Sequence, residues 1–255
     1  MDIDVRNLFE SLFRWGHVVA GILWIGLLYF FNWVNGPFAA TMDGDTKKKV
    51  VPELMPRALF FFRWGAMWTW ITGAILASMV YYSTKLVFED PQNAHWTLAA
   101  VVMLVVVFFA FAVYDPLMKA IPKPPVQAAV GFILTVGVLL ALRHWAGFSY
   151  RGTAIHMGAM FGTLMFANVW MRIWPNQRRI ISATEIGDKP DPAVVALAGN
   201  RSKHNTYMSV PLVFAMLNQH GIWAASGDWP LPVVVLVGWG VVFWLYKKAP
   251  TVKGF

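Results

Sequence analysis

Of the six histidines in this chain, His17, His156 and His220 fall inside long apolar runs, and there is no cysteine. Ionisable side chains within an apolar span are costly and usually face the interior of a helix bundle, where they mark ion, proton or cofactor sites. Without cysteine the chain cannot form disulfides, thiolate metal sites, iron–sulfur clusters or covalent c-type haem, which needs C-x-x-C-H. Any metal must then be held by His, Met, carboxylates or a non-covalent cofactor, and imidazoles of this kind suit axial ligation of haem b. A neutral ring nitrogen would meet the iron, and an apolar slot between helices would hold the macrocycle.

The elements that must position these residues are membrane helices. Of 255 residues, 58% are apolar and 13% charged, against about 25% charged in a soluble domain. The charges cluster between apolar runs, as in a polytopic membrane protein, and the 14 tryptophans suit membrane–water interfaces. The net charge of +8 reads as topology and contact with anionic lipid, not as nucleic-acid binding. An all-α bundle of seven spans is expected at 12–34, 57–82, 96–119, 126–146, 152–174, 206–225 and 231–248, each long enough for a hydrocarbon core of about 30 Å. They form a single domain over 1–255. The first is an uncleaved span, because MDIDVRNLFE is no basic leader. Breaks fall at NGPFAATMDGDTKKK, EDPQN, IPKPP, GFSYRG, the stretch 175–205 and GDWP. Within 175–205, Asp191-Pro192 before AVVALAG is a start signal for a short interfacial helix.

Lys and Arg are sharply partitioned. Arg6, Arg14, Lys85, Arg143 and Arg151 lie on one side, and fifteen others lie opposite, from Lys47 to Lys253. The positive-inside rule then puts the N-terminus outside and the C-terminus in the cytoplasm. In that orientation His17, His156 and His220 all lie roughly 6–8 Å below the outer face. His95 and His144 flank outer span ends, and His204 belongs to the cytoplasmic side.

His17 is the first expected haem ligand; His220 and His156 both remain open as the second. Arg14, one turn outward of His17, and Arg151, at the entrance of span five, are placed to pair with haem propionates. Trp24 shares His17's helix face, and Gly16, Gly21, Gly158 and Gly162 leave clearance for a flat ring or for plain helix packing. Each histidine read alone is also an ordinary inter-helix hydrogen-bonder. A proton relay or a zinc site is the other reading, although the outer acids Asp2, Asp4, Glu10, Glu89, Asp90 and Asp228 sit in tails or loops. Arg63, in FFFRWGAMWTW, either binds an anion or snorkels to the cytoplasmic interface. Pro211 is expected to kink span six.

RWGHVVAGILWIG, LMPRALFFFRWGAMWTWITGAIL and RSKHNTYMSVPLVFAMLNQH together resemble the membrane domain of the bacterial membrane-bound urate hydroxylase (urate oxidase N-terminal) family, in order from span one to span six. The resemblance implies a redox protein of the bacterial inner membrane that passes electrons from a substrate towards the respiratory chain. It carries over His17, Arg63, His204, Asn205 and His220. If a small anion such as urate is oxidised, the cytoplasmic cluster of Arg63, Arg201, Lys203, His204 and Asn205 would hold it, with His204 as base. The family joins its bundle to a C-terminal c-type cytochrome domain. This chain has no CxxCH, so the expected acceptor is a separate c-type cytochrome or respiratory complex. The family also carries a His and a Glu in span two where this chain has Phe60 and Gly65. Two other readings stay open: a non-catalytic accessory subunit of a respiratory or electron-transfer complex, and a transporter or metal permease.

Overall fold

Residues 4–218, 221 and 227–252 are described by a computed structural model of the chain. Among them the fold is helical, and the β features reduce to one isolated antiparallel bridge, Phe88 to Phe148. The helices are α1 (Val5–Thr41), α2 (Gly44–Leu76, continued as a π turn over Ala77–Tyr82), α3 (Leu98–Phe109) and α4 (Phe111–Ala120), α5 (Pro124–Trp145) and α6 (Tyr150–Glu185), α7 (Pro192–Leu217), and α8 (Pro230–Lys248).

Their starts follow local chemistry. The Asp43 carboxylate accepts from the Thr46 backbone N–H at 2.9 Å and its hydroxyl at 2.7 Å, ahead of α2. The Thr97 hydroxyl accepts from Ala100 N at 3.1 Å ahead of α3. Asp191 accepts from Ala193 N at 2.8 Å ahead of α7. Side-chain acceptors of this kind satisfy the orphan N–H groups of a first turn. Pro124, Pro192 and Pro230 open α5, α7 and α8, positions that need no N–H partner.

Among the described residues, four helices are long and apolar enough to cross a membrane: α1, α5, α6 and the stretch Pro230–Thr251. The pair α3 and α4, bent by 51° at its break, makes a fifth if it is one span. Arg63 and the tryptophans around it dilute the apolar run of α2, and Arg201, Lys203, His204 and Asn205 do the same in α7.

Two local expectations are corrected. The stretch 175–205 is not one long break, because α6 runs on to Glu185. Nor is there a short interfacial helix after Asp191, since α7 is continuous from Pro192 through Pro211 to Leu217. Pro175, which has no N–H to donate, is separated by one residue from a π turn over Val169–Ile173. The widened turn accommodates the missing bond.

The chain divides into two compact units. The first comprises the described residues of Met1–Glu10, Gly73–Leu164 and Met208–Trp239. In it the loop after α2 is tied to the start of α6. Ser149 N donates to Val87 O at 2.7 Å, and the Ser149 hydroxyl accepts from Gly152 N at 2.9 Å. A Cβ at Gly152 would overlap the Val87 carbonyl oxygen and lie 3.0 Å from Val87 C and Cα. Gly158 and Gly162 receive Met216, Ala215 and Leu212 of α7, so both serve helix packing.

The second unit comprises the described residues of Ser11–Thr72, Met165–Tyr207 and Gly240–Phe255. Gly65 brings α2 against α1, where its Cβ would meet Trp24 N at 3.3 Å and Ala20 O at 3.4 Å. Beside this contact runs an apolar groove of about 390 Å³, floored by Gly16, Ala20 and Gly65 and walled by Trp15, Trp64 and Trp68.

Candidate functional site

His17 and Trp24 lie in the second unit and His156 in the first, while His220 lies outside the described residues. His17 faces α2. Its Nδ1 lies 2.9 Å from Thr69 O and 3.1 Å from Thr72 Oγ1. A carbonyl only accepts, so Nδ1 carries the proton and Nε2 the lone pair. Thr72 reaches His17 as an acceptor because its own hydroxyl donates to Trp68 O at 2.6 Å. An Nδ1–H held by a backbone carbonyl is the arrangement that orients metal-ligating imidazoles and raises their basicity. Two turns along α1, the buried Trp24 leaves its indole N–H without a partner. Gly21 lies between them, where an added Cβ would find only Thr69 Cγ2 at 3.8 Å.

His156 is arranged otherwise. It is buried, with Nδ1 2.6 Å from Gly152 O, so Nδ1 donates. Nε2 accepts from the Tyr82 hydroxyl at 3.1 Å. Phe148 packs against the ring at 4.8 Å and Tyr82 at 5.7 Å. Both nitrogens are therefore engaged by protein, and Nε2 could bind iron only after Tyr82 let go. Arg151 is half-buried in the first unit, and Arg14 is exposed on α1. Among the described residues no group of three or more His and carboxylate side chains could hold a metal ion.

The expected cytoplasmic cluster resolves into distinct environments, all in the second unit. The Arg63 guanidinium lies 4.1 Å from the Trp174 ring centroid, with Trp170 at 5.9 Å and Phe60 at 5.7 Å. Its Nε and the Trp170 indole N–H are buried without hydrogen-bond partners. Asn205 is fully buried and clamps α7 to α6. Its Nδ2 donates to Met165 O at 2.9 Å, and its Oδ1 accepts from Asn168 Nδ2 at 2.8 Å. His204 precedes the apolar stretch 206–225; burial, with the Arg201 and Lys203 cations adding to it, pushes its imidazole down to about 4. Lys203 Nζ lies 5.1 Å over the Tyr246 ring. The Tyr246 hydroxyl donates to Asn32 Oδ1 at 2.8 Å, and Asn32 in turn donates to Ser202 Oγ at 2.8 Å and Leu28 O at 2.9 Å.

Several of these partners escape sequence reasoning: Thr69 and Thr72 behind His17, Tyr82 on His156, Trp174 under Arg63, and the pairings of Asn32 and Asn168. The one signal in the sequence is a polar residue inside an otherwise apolar run, as in FFNWVN and FANVW.

A family profile described as urate oxidase N-terminal matches residues 42–249. The matched stretch contains Arg63, His156, His204, Asn205 and His220; His17, Arg14 and Trp24 precede it. No curated protein and no solved structure matches the chain. With that profile covering most of its length, the chain belongs to the urate oxidase N-terminal family.

Proposed function

We propose that the chain is a multi-pass redox protein of the bacterial inner membrane, crossing it seven times with the N-terminus outside, and that it carries a non-covalent haem b on His17. The single observation that supports the haem is the contact of His17 Nδ1 with Thr69 O at 2.9 Å, which puts the proton on Nδ1 and leaves Nε2 its lone pair. Trp24, buried on the same helix face, would be an apolar neighbour of the haem ring. Among the described residues the donor set fits one axial histidine, with His156 retained by Gly152 and Tyr82, and His220, outside the described residues, stays open as the second. Haem bound there would supply a one-electron carrier. The chain's own residues do the rest: Thr69 and Thr72 fix the imidazole, Arg14 would bind a propionate at the outer interface, and the apolar helices exclude water. The electrons go to a c-type cytochrome or respiratory complex. The substrate side, drawn from the family's name, is oxidation of a small planar anion of the urate type.

The test is an absorbance spectrum of detergent-purified protein expressed with ample haem. One axial histidine predicts a high-spin ferric spectrum and a reduced Soret band lost in His17→Ala. A low-spin spectrum that turns high-spin in His220→Ala would make His220 the second ligand, a Soret band that survives His17→Ala would refute the ligand assignment, and a colourless wild type would remove haem altogether. Urate turnover with an artificial electron acceptor tests the substrate side separately.

A further inference from the structure

A second feature of the second unit is a pair of guanidinium groups that share one indole. Arg63 stacks on Trp174 at 4.1 Å, and Arg178 approaches the same ring at 5.9 Å. Cation–π contact holds each cation but does not neutralise it. Neither side chain forms an ion pair among the described residues. Arg63 Nε is buried without an acceptor, and so is the indole N–H of Trp170, whose ring lies 5.9 Å from the Arg63 guanidinium. Arg178 is exposed, while Arg63 and Trp174 are half-buried, so the cluster opens outward. Two like charges on one ring, with N–H donors left over and no carboxylate, describe a site for an anion.

The position narrows the class of anion. Trp170, Trp174 and Arg178 lie at the basic end of α6, where Arg172, Arg178 and Arg179 follow a long apolar stretch. Tryptophan and arginine at a span's end meet the headgroup layer. Arginine forks bind phosphate oxygens in pairs. We propose that Arg63 and Arg178, sharing the Trp174 indole, bind a phosphate-class oxyanion supplied by the headgroup of an anionic phospholipid. This goes beyond the redox reading and does not depend on it.

The experiment is native mass spectrometry of the full-length protein in detergent, counting bound phosphatidylglycerol against phosphatidylcholine. Wild type should retain phosphatidylglycerol preferentially. Arg63→Gln should lower that preference about tenfold and Arg178→Gln about fivefold, whereas Arg57→Gln, whose side chain already pairs with Glu53, should leave it unchanged. Arg178 is exposed, so its variant tests the site even if Arg63→Gln fails to fold. Displacement of the lipid by millimolar inorganic phosphate would keep the oxyanion class and assign the source to free phosphate. Equal retention of the two lipids in wild type, or unchanged retention in both variants, would overturn the inference. So would displacement by urate but not by phosphate, which would give the site to the redox substrate instead.

Discussion

Asn205 separates a structural from a chemical reading of the motif RSKHNTY. The structure spends both ends of its amide on α6: Nδ2 donates to Met165 O at 2.9 Å and Oδ1 accepts from Asn168 Nδ2 at 2.8 Å, with no part of the side chain exposed. Asn205→Ala removes both bonds and leaves a small void. Inter-helix hydrogen bonds in membrane bundles are worth about 0.6 kcal/mol each and reach about 1.7. With the void added, the expected loss is about 2–4 kcal/mol. The assay is reversible unfolding in mixed micelles, read as the shift in denaturant midpoint, with Asn168→Ala and the double variant completing a cycle. The coupling energy should fall at about 0.6–1.7 kcal/mol. Asn205→Asp should be no better, because a carboxylate cannot donate to the Met165 carbonyl. Strict additivity in the cycle would refute the clamp. So would an Asn205→Ala protein as stable as wild type but without turnover, a result that would place the amide on a substrate.

Other parts of the fold make equally direct predictions. Gly152→Ala should destabilise the protein by about 3 kcal/mol or more, because the new methyl meets Val87 backbone and not a movable side chain. Gly137→Ala, which meets nothing within 4 Å, should be neutral or stabilise by up to about 1 kcal/mol in the same denaturant titration. Tyr82→Phe deletes the hydroxyl held by His156 Nε2 and should cost about 1 kcal/mol while leaving the haem spectrum unchanged; an altered spectrum would make His156 a ligand. His204, held down at about 4 against 6.5 for a free imidazole, makes the unfolded chain bind the extra proton between those values. The share of stability that His204 carries should therefore be full above pH 6.5 and decline by at most about 3 kcal/mol as pH falls towards 4. The decline should flatten in His204→Gln, and a pH profile identical to wild type would show that His204 does not cause it.

The elements that the residues announce plainly are those with chemical punctuation. Asp43, Thr97 and Asp191 hydrogen-bond to first turns, and Pro124, Pro192 and Pro230 open helices where they lack nothing. Helix ends without such marks are less legible. NQRRIISATE, at the end of α6, has the polarity of a loop yet stays helical to Glu185, because polarity measures distance from lipid and not backbone conformation. For the candidate site, the histidines can be found by type and their roles cannot. His17 and His156 both read as imidazoles inside apolar runs. Only the pairing of Nε2 with Tyr82 distinguishes them, and that contact joins residues 74 apart. Arg63 reads as a span-interior cation that needs a partner, but an aromatic partner over a hundred residues on is invisible to spacing.

The π turns account for part of this illegibility. They cover Phe30–Asn35, Ala77–Tyr82, Ala141–Trp145 and Val169–Ile173. Each holds a member of a polar or charged cluster: Asn32, bonded to Ser202 and Tyr246; Tyr82, bonded to His156; Arg143 and His144, both bonded to Asp228; and Trp170, beside Arg63. A π turn inserts one residue into the ladder and rotates everything beyond it by about 100° relative to an unbroken helix. That rotation can turn a polar residue inward without breaking the backbone bonding that lipid demands. It also breaks the 3.6-residue register from which faces are read, so residues on either side of the turn cannot be assigned to one face by counting. The groups hardest to place from the sequence are therefore the ones whose positions the widened turns set: Asn32 and Tyr82 make part-buried contacts between helices, and His144 meets Asp228 at the surface.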